Sequence, residues 1–96
     1  MAMTIIVTRD VAPRTRGFLS SVMPEPAPGL YASPALTRGV RERIWSVLSD
    51  WHDVTGKGSV VLIWKDDKVA GGMSILTLGT PPRRLTDLDG VLVSRW

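Results

Sequence analysis

The chain of 96 residues predicts an α+β sandwich, with two helices laid on one face of an antiparallel sheet. Three observations point there. Two short β-branched runs, residues 4–8 and 60–64, bracket a pair of segments with helical spacing. A proline-rich stretch, residues 23–29, separates those two segments. A polar turn, Lys65-Asp66-Asp67-Lys68, then joins the second run to a hairpin partner.

Residues 4–8, TIIVT, read as a buried strand. Asp10 offers an N-cap for the helix that follows, and Pro13 fits its first turn. Val11, Thr15, Phe18, Leu19 and Val22 recur at helical spacing, while Gly17 costs roughly 1 kcal/mol relative to alanine. Residues 23–29, MPEPAPG, carry proline at every second place and suit an extended edge or loop. Leu30-Tyr31-Ala32 is a short strand. Ser33 is expected to cap the second helix, with Pro34 at its first position. Leu36, Val40, Ile44, Val47, Leu48 and Trp51 form that helix's inner stripe. Residues 60–64, VVLIW, read as a central strand, and 69–78 return beside it. Pro81-Pro82-Arg83-Arg84 is a rigid basic connector, and 91–93 a last strand. The order fits a single ferredoxin-like βαββαβ domain over 1–96 with an additional C-terminal strand, provided residues 23–33 supply two short strands or one bent one.

Composition narrows the function. Hydrophobic residues make up 44% and charged ones 22%, as in a folded domain. There is no cysteine and only one histidine, His52, which removes disulfides, thiol nucleophiles and any multi-histidine site within one chain. His52, near a helix end, suits a capping or dipole role. Apolar runs reach about half a dozen residues against the ~20 needed to span a bilayer. The start, MAMTIIVTRD, lacks a basic n-region and a long apolar h-region. A cytoplasmic protein without membrane contact is expected. Net charge is +3, and nine of the twelve basic residues are arginine, whose planar fork suits phosphate.

Arg14 and Arg16 lie at a helix start, where free amides and the dipole favour anions. Arg38 and Arg41 share a face with Trp45, and Arg43 lies on another. Arg83 and Arg84 form a third pair. Three pairs on one small domain predict a phosphate track. Asp10, at a strand end, is the one candidate for a catalytic carboxylate or metal ligand; a two-fold dimer could pair two of them. Arg9 beside it competes with a cation, so we read Asp10 as a cap. Trp51 and Trp64 look like core, and Asp66, Asp67, Asp87 and Asp89 like turn or capping groups. Gly71-Gly72 does not make GxGxxG, and no Walker or Ser-His-Asp pattern is visible.

Four stretches, MTIIVTRDVAPRTRGFL, GLYASPALTRGVRERIWSVL, GSVVLIWKDD and PPRRLTDLDGVLVS, together resemble the small CRISPR-associated spacer-acquisition protein of type I-E systems, the dimeric partner of the integrase. The resemblance covers nearly the whole chain. It implies a ferredoxin-like homodimer that sits between integrase dimers and supports a foreign DNA duplex before its insertion. Transesterification then belongs to the integrase subunits. Arg14, Arg16, Arg38 (or Arg41), Arg83 and Arg84 fall on the family's DNA-contacting positions, and the segment 80–96 corresponds to the partner-docking part. The wider family is also described as a metal-dependent nuclease with an acid at the end of the first strand.

At that place this chain has Arg9, and Asp10 comes one position late; one step along a strand turns a side chain to the other face. Neutral Ala27-Pro28-Gly29 stands where a basic residue can precede the Gly-Tyr pair, and the chain stops at Trp96, which predicts a short tail. The reading that results is a non-catalytic, dimeric DNA-binding scaffold of the CRISPR adaptation complex. It requires no cofactor, and Val91, Leu92 and Val93 help extend the partner's sheet. The alternative is an endonuclease on DNA or RNA that uses Mg. A ferredoxin-like small-ligand sensor is a third reading, for which no ligand motif is visible.

Overall fold

The computed structural model describes residues 2–79, 84–88 and 90–95, with backbone alone for 84–88 and 93–95. In chain order the elements are β1 (Ala2–Arg9), α1 (Pro13–Val22), β2 (Leu30–Leu36), α2 (Arg38–Thr55), β3 (Ser59–Lys65), β4 (Met73–Leu78), β5 (Arg84–Leu88) and β6 (Val91–Arg95). The first four strands make one antiparallel sheet in the order β2-β1-β3-β4, and β5 pairs with β6 as a separate ribbon.

The proline-rich stretch supplies a vestigial strand. Ala27 bridges Leu30, and the Ala32 N–H donates to the Pro24 carbonyl, so residues 24–27 lie along the outer edge of β2. Proline is tolerated there because an edge leaves alternate amides without a ladder partner. Counting this remnant, the chain from β1 to β3 is the ferredoxin-like βαββαβ unit, and β4 is the added strand. Glu25 pins the remnant in place: its carboxylate accepts from Gly29 N–H at 3.0 Å and from Ser20 Oγ at 3.2 Å.

Alternation along the strands divides the sheet into two faces. Thr4, Ile6, Tyr31, Val60 and Leu62 point into the core, where Leu19 and Met23 from the α1 end and Ile44 and Leu48 from α2 cover them. On the opposite face cross-strand rows run Ala32–Ile5–Ile63–Ile75 and Leu30–Val7–Val61–Thr77. That second face is apolar yet open: Met3 is 53% exposed and Val7 41%.

Both helix starts differ from the sequence expectation. The N-cap of α1 is Ala12, not Asp10, and no side chain caps it. Pro13 at the first helical position disfavours a helical Ala12 and holds it extended, which leaves Asp10 two residues too early. Asp10 instead turns the chain at the end of β1 with a left-handed φ of 56°. The second helix starts at Arg38 with Thr37 as cap, not at Ser33 and Pro34. β2 runs on through Pro34, because Ser33 pairs with Thr4 and Leu36 with Ala2. Two β2 residues, Pro34 and Ala35, therefore face the single Met3, a bulge in which a missing amide is cheap. Leu36 is buried from the strand, while Val40 is 46% exposed. Asp87, expected in a turn, lies within β5 and pairs with Leu92; Asp89 is outside the described residues.

Candidate nucleic-acid interface

The first arginine pair is split by its helix. Arg14, in the first turn of α1, lies with its guanidinium carbon 4.2 Å above the Trp51 ring of α2. Phe18, one turn along α1, meets the same indole edge-on, with centroids 5.3 Å apart and planes at 73°. Trp51 is therefore half-buried and held from two sides, and not part of the buried core that the sequence suggested. Arg16 points elsewhere. It lines a cavity of about 520 Å³ at the end of β1, with Thr8, Asp10, Val11, Pro13, Pro28, Gly29 and Lys57. Asp10, just past the end of β1, thus shares its cavity with Thr8.

Loop geometry brings Lys57 there. Gly56 ends α2 at a left-handed φ of 59°, with its N–H on the His52 carbonyl. Gly58 follows at φ 79°, so close to the Arg9 and Asp10 carbonyls that a Cβ would lie 2.6 Å from both. Only glycine lets this loop press against the end of β1. His52, in the last turn of α2, places Nε2 3.3 Å from the Gly58 carbonyl and belongs to the same closure.

The second pair stays together. Arg38 and Arg41 line a cleft of about 500 Å³ with Glu42, Trp64, Lys65, Asp66, Asp67 and Lys68. Arg38 Nε donates to Glu42 Oε1 at 2.8 Å, and that bond raises the arginine's pKa. Arg41 stacks with its guanidinium carbon 4.2 Å over the Trp64 ring of β3, so Trp64, too, lies half-buried under a cation. Such a stack contributes about 0.5–1 kcal/mol at an exposed site. Trp45 faces an adjoining cavity with Arg41, Ser46, Trp64 and Leu76. Arg83 lies outside the described residues, and Arg84 is described only as the backbone of β5, paired with Arg95.

Two carboxylates shape this surface from its margins. The Glu25 pKa is lowered, chiefly by the Gly29 N–H bond and further by the Ser20 hydroxyl. The Asp66 pKa is lowered by the Lys68 N–H at 3.0 Å and then by the Ser74 hydroxyl at 2.9 Å. Neither carboxylate faces the cavity at the end of β1. Among the described residues no three His, Cys, Asp or Glu side chains come together to hold a metal ion. A divalent cation takes several oxygen ligands. Within one chain the β1 cavity offers one carboxylate, Asp10, set against Arg16 and Lys57.

A family model described as CRISPR-associated protein (Cas_Cas2CT1978) matches residues 3–93. The chain belongs to that family. Membership in this CRISPR-associated family gives the chain a place in a CRISPR system and points to a role in adaptation. No helix among the described residues of this family member is long and apolar enough to cross a membrane. Sequence reasoning missed Lys57, Lys65 and Lys68 as part of its cationic surface. Gly56-Lys57-Gly58 carried a usable signal, a lysine held between two turn glycines. The two arginine–tryptophan stacks had none, since their partners lie far apart in the chain.

Proposed function

We propose that the protein is a sequence-independent DNA-binding scaffold of CRISPR adaptation, of the type I-E kind. As a homodimer it holds a foreign duplex by its phosphates, and partner integrase subunits carry out strand transfer. The observation that carries this reading is the bracing of Arg14 and Arg41 on tryptophans at the helix layer, with Arg16, Arg38 and several lysines around them. An arginine whose face is covered still has N–H groups along its edge, and these suit phosphate oxygens and ignore base identity. The charge makeup of the β1 cavity supports a protein that grips and does not cut. The open apolar face of the sheet supports a second copy as its cover, since exposed patches of this kind mark interaction sites. Arg83, Arg84 and residues 80–96 complete the proposal as a further phosphate contact and the integrase-docking segment.

The test has two parts. Duplexes of unrelated sequence should bind alike, and six phosphate contacts across a dimer give a slope of log K against log salt of roughly −5. The Arg14→Ala, Arg16→Ala double variant should weaken binding to every duplex. With purified integrase, Asp10→Asn should leave spacer integration nearly unchanged, and the double arginine variant should impair it strongly. Salt-independent affinity, or loss of integration in a folded, dimeric Asp10→Asn protein, overturns the scaffold and favours the nuclease.

A further inference from the structure

An arginine that meets a phosphate from solvent must first give up the freedom of a long side chain. Arg14 and Arg41 have already given up part of it. Each guanidinium carbon lies over an indole ring, 4.2 Å from its centroid, and each indole belongs to a different element from its arginine: α2 for Arg14, β3 for Arg41. Trp51 is fixed in turn by the edge of Phe18. Trp64 is fixed by its place near the end of β3, opposite Thr4 and Ser74. A stacked guanidinium turns one face to the ring and leaves its donor edge outward, the geometry a phosphate oxygen accepts.

We infer that Trp51 and Trp64 are positioning residues for phosphate binding, each acting through the arginine stacked upon it. The inference rests on the DNA-scaffold reading and deepens it. The order of the two arginines is settled when the chain folds, so less is lost when a ligand binds. It also selects the ligand. Proteins that favour single strands offer bare aromatic rings for bases to stack on. Here both rings are covered by cations, so the surface accepts a duplex backbone and gives unpaired bases no platform at these two places.

The experiment is a double-mutant cycle on the intact protein, read as affinity for a short duplex and for the corresponding single strand over a range of salt. Trp51→Leu and Trp64→Leu should each weaken duplex binding roughly two- to fivefold, the loss expected of one exposed stack. Phenylalanine at either position should recover part of that loss. In an Arg14→Ala background Trp51→Leu should do nothing more, and likewise Trp64→Leu in Arg41→Ala. The salt slope separates positioning from contact: each arginine removal should reduce its magnitude by about 0.9 per phosphate lost, and the tryptophan variants should leave it unchanged. Additive losses, an unchanged slope in the arginine variants, or tighter binding of the single strand overturn the inference. A wild-type protein that binds neither strand form with salt dependence refutes the scaffold reading itself, a different result from additivity. The phenylalanine variants keep the test decisive if a leucine variant unfolds.

Discussion

The Thr37 side chain accepts a hydrogen bond from the Val40 amide at 3.3 Å, satisfying one of the donors that every α-helix leaves open at its start. Ser33 and Asp10 make no such bond, because neither adjoins a helix. Thr37→Ala should therefore destabilise the fold by about 1 kcal/mol in urea titration, and Asp10→Asn and Ser33→Ala should show no capping loss. Equal losses at all three would mean that the helices begin where the sequence pattern alone put them. Prolines explain why that pattern misled. Proline favours a helix's first turn and an edge bulge alike, and the choice between them lies in strand pairing that no local window contains. Arg16 belongs to the same class. Its place beside Arg14 in sequence suggested a shared task, but two helix positions point in different directions, and the two arginines line different cavities.

At the scale of elements, the β3–β4 connection is organised by one carboxylate. Asp66 accepts from the Lys68 N–H and the Ser74 hydroxyl, while its own N–H donates to the Gly72 carbonyl. A one-turn 3₁₀ segment, Ala70–Gly72, completes the turn with Gly71 at φ 83°. Leu92 of β6 packs so tightly on Gly71 that no Cβ would fit, which ties the C-terminal ribbon to this turn. Since folding lowers the Asp66 pKa, its contribution to stability is present above the ordinary carboxylate range. That contribution is lost as pH falls through the lowered value. The Lys68 amide shift should accordingly titrate with a midpoint below the ordinary Asp value of about 3.9, and Asp66→Asn should remove that titration. A midpoint above the ordinary value would contradict the hydrogen bonds that define the turn.

For the whole molecule, the decisive feature is the second face of the sheet. One row is aliphatic across all four strands and the next is aliphatic up to Thr77, yet among the described residues both helices pack on the other face. A domain of this size buries a modest fraction of its surface, and a second copy could cover this face. Under the dimer proposal, Val7→Lys should turn a two-fold dimer into a monomer in light scattering, because it sets a charge in the middle of the apolar rows. A wild-type monomer at micromolar concentration, or a dimer unaffected by Val7→Lys, rules this face out as the interface. The expected extension of the partner's sheet by Val91, Leu92 and Val93 is a separate matter: within one chain β6 pairs with β5.

The pattern of residues alone carried both helices, the first and central strands and the buried faces of these, but not β5, which it read as a connector and turn. The alternation of Ile6 with Val7, the helical spacing of Ile44 and Leu48, and the turn at Asp66 are local properties, set by backbone periods that any window of the chain displays. The arginine-rich character of the surface was equally open to reading, since charge is a property of composition. Tertiary structure decided what periodicity cannot encode. It turned a proline run into the remnant of a strand, carried β2 through Pro34, placed Lys57 beside Asp10, and laid Arg14 and Arg41 on indoles from other elements. Each of these is a contact between residues distant in sequence. Such a contact exists only once the sheet order and the packing of the helices have been chosen, and that choice minimises the free energy of the whole chain and not of any one segment.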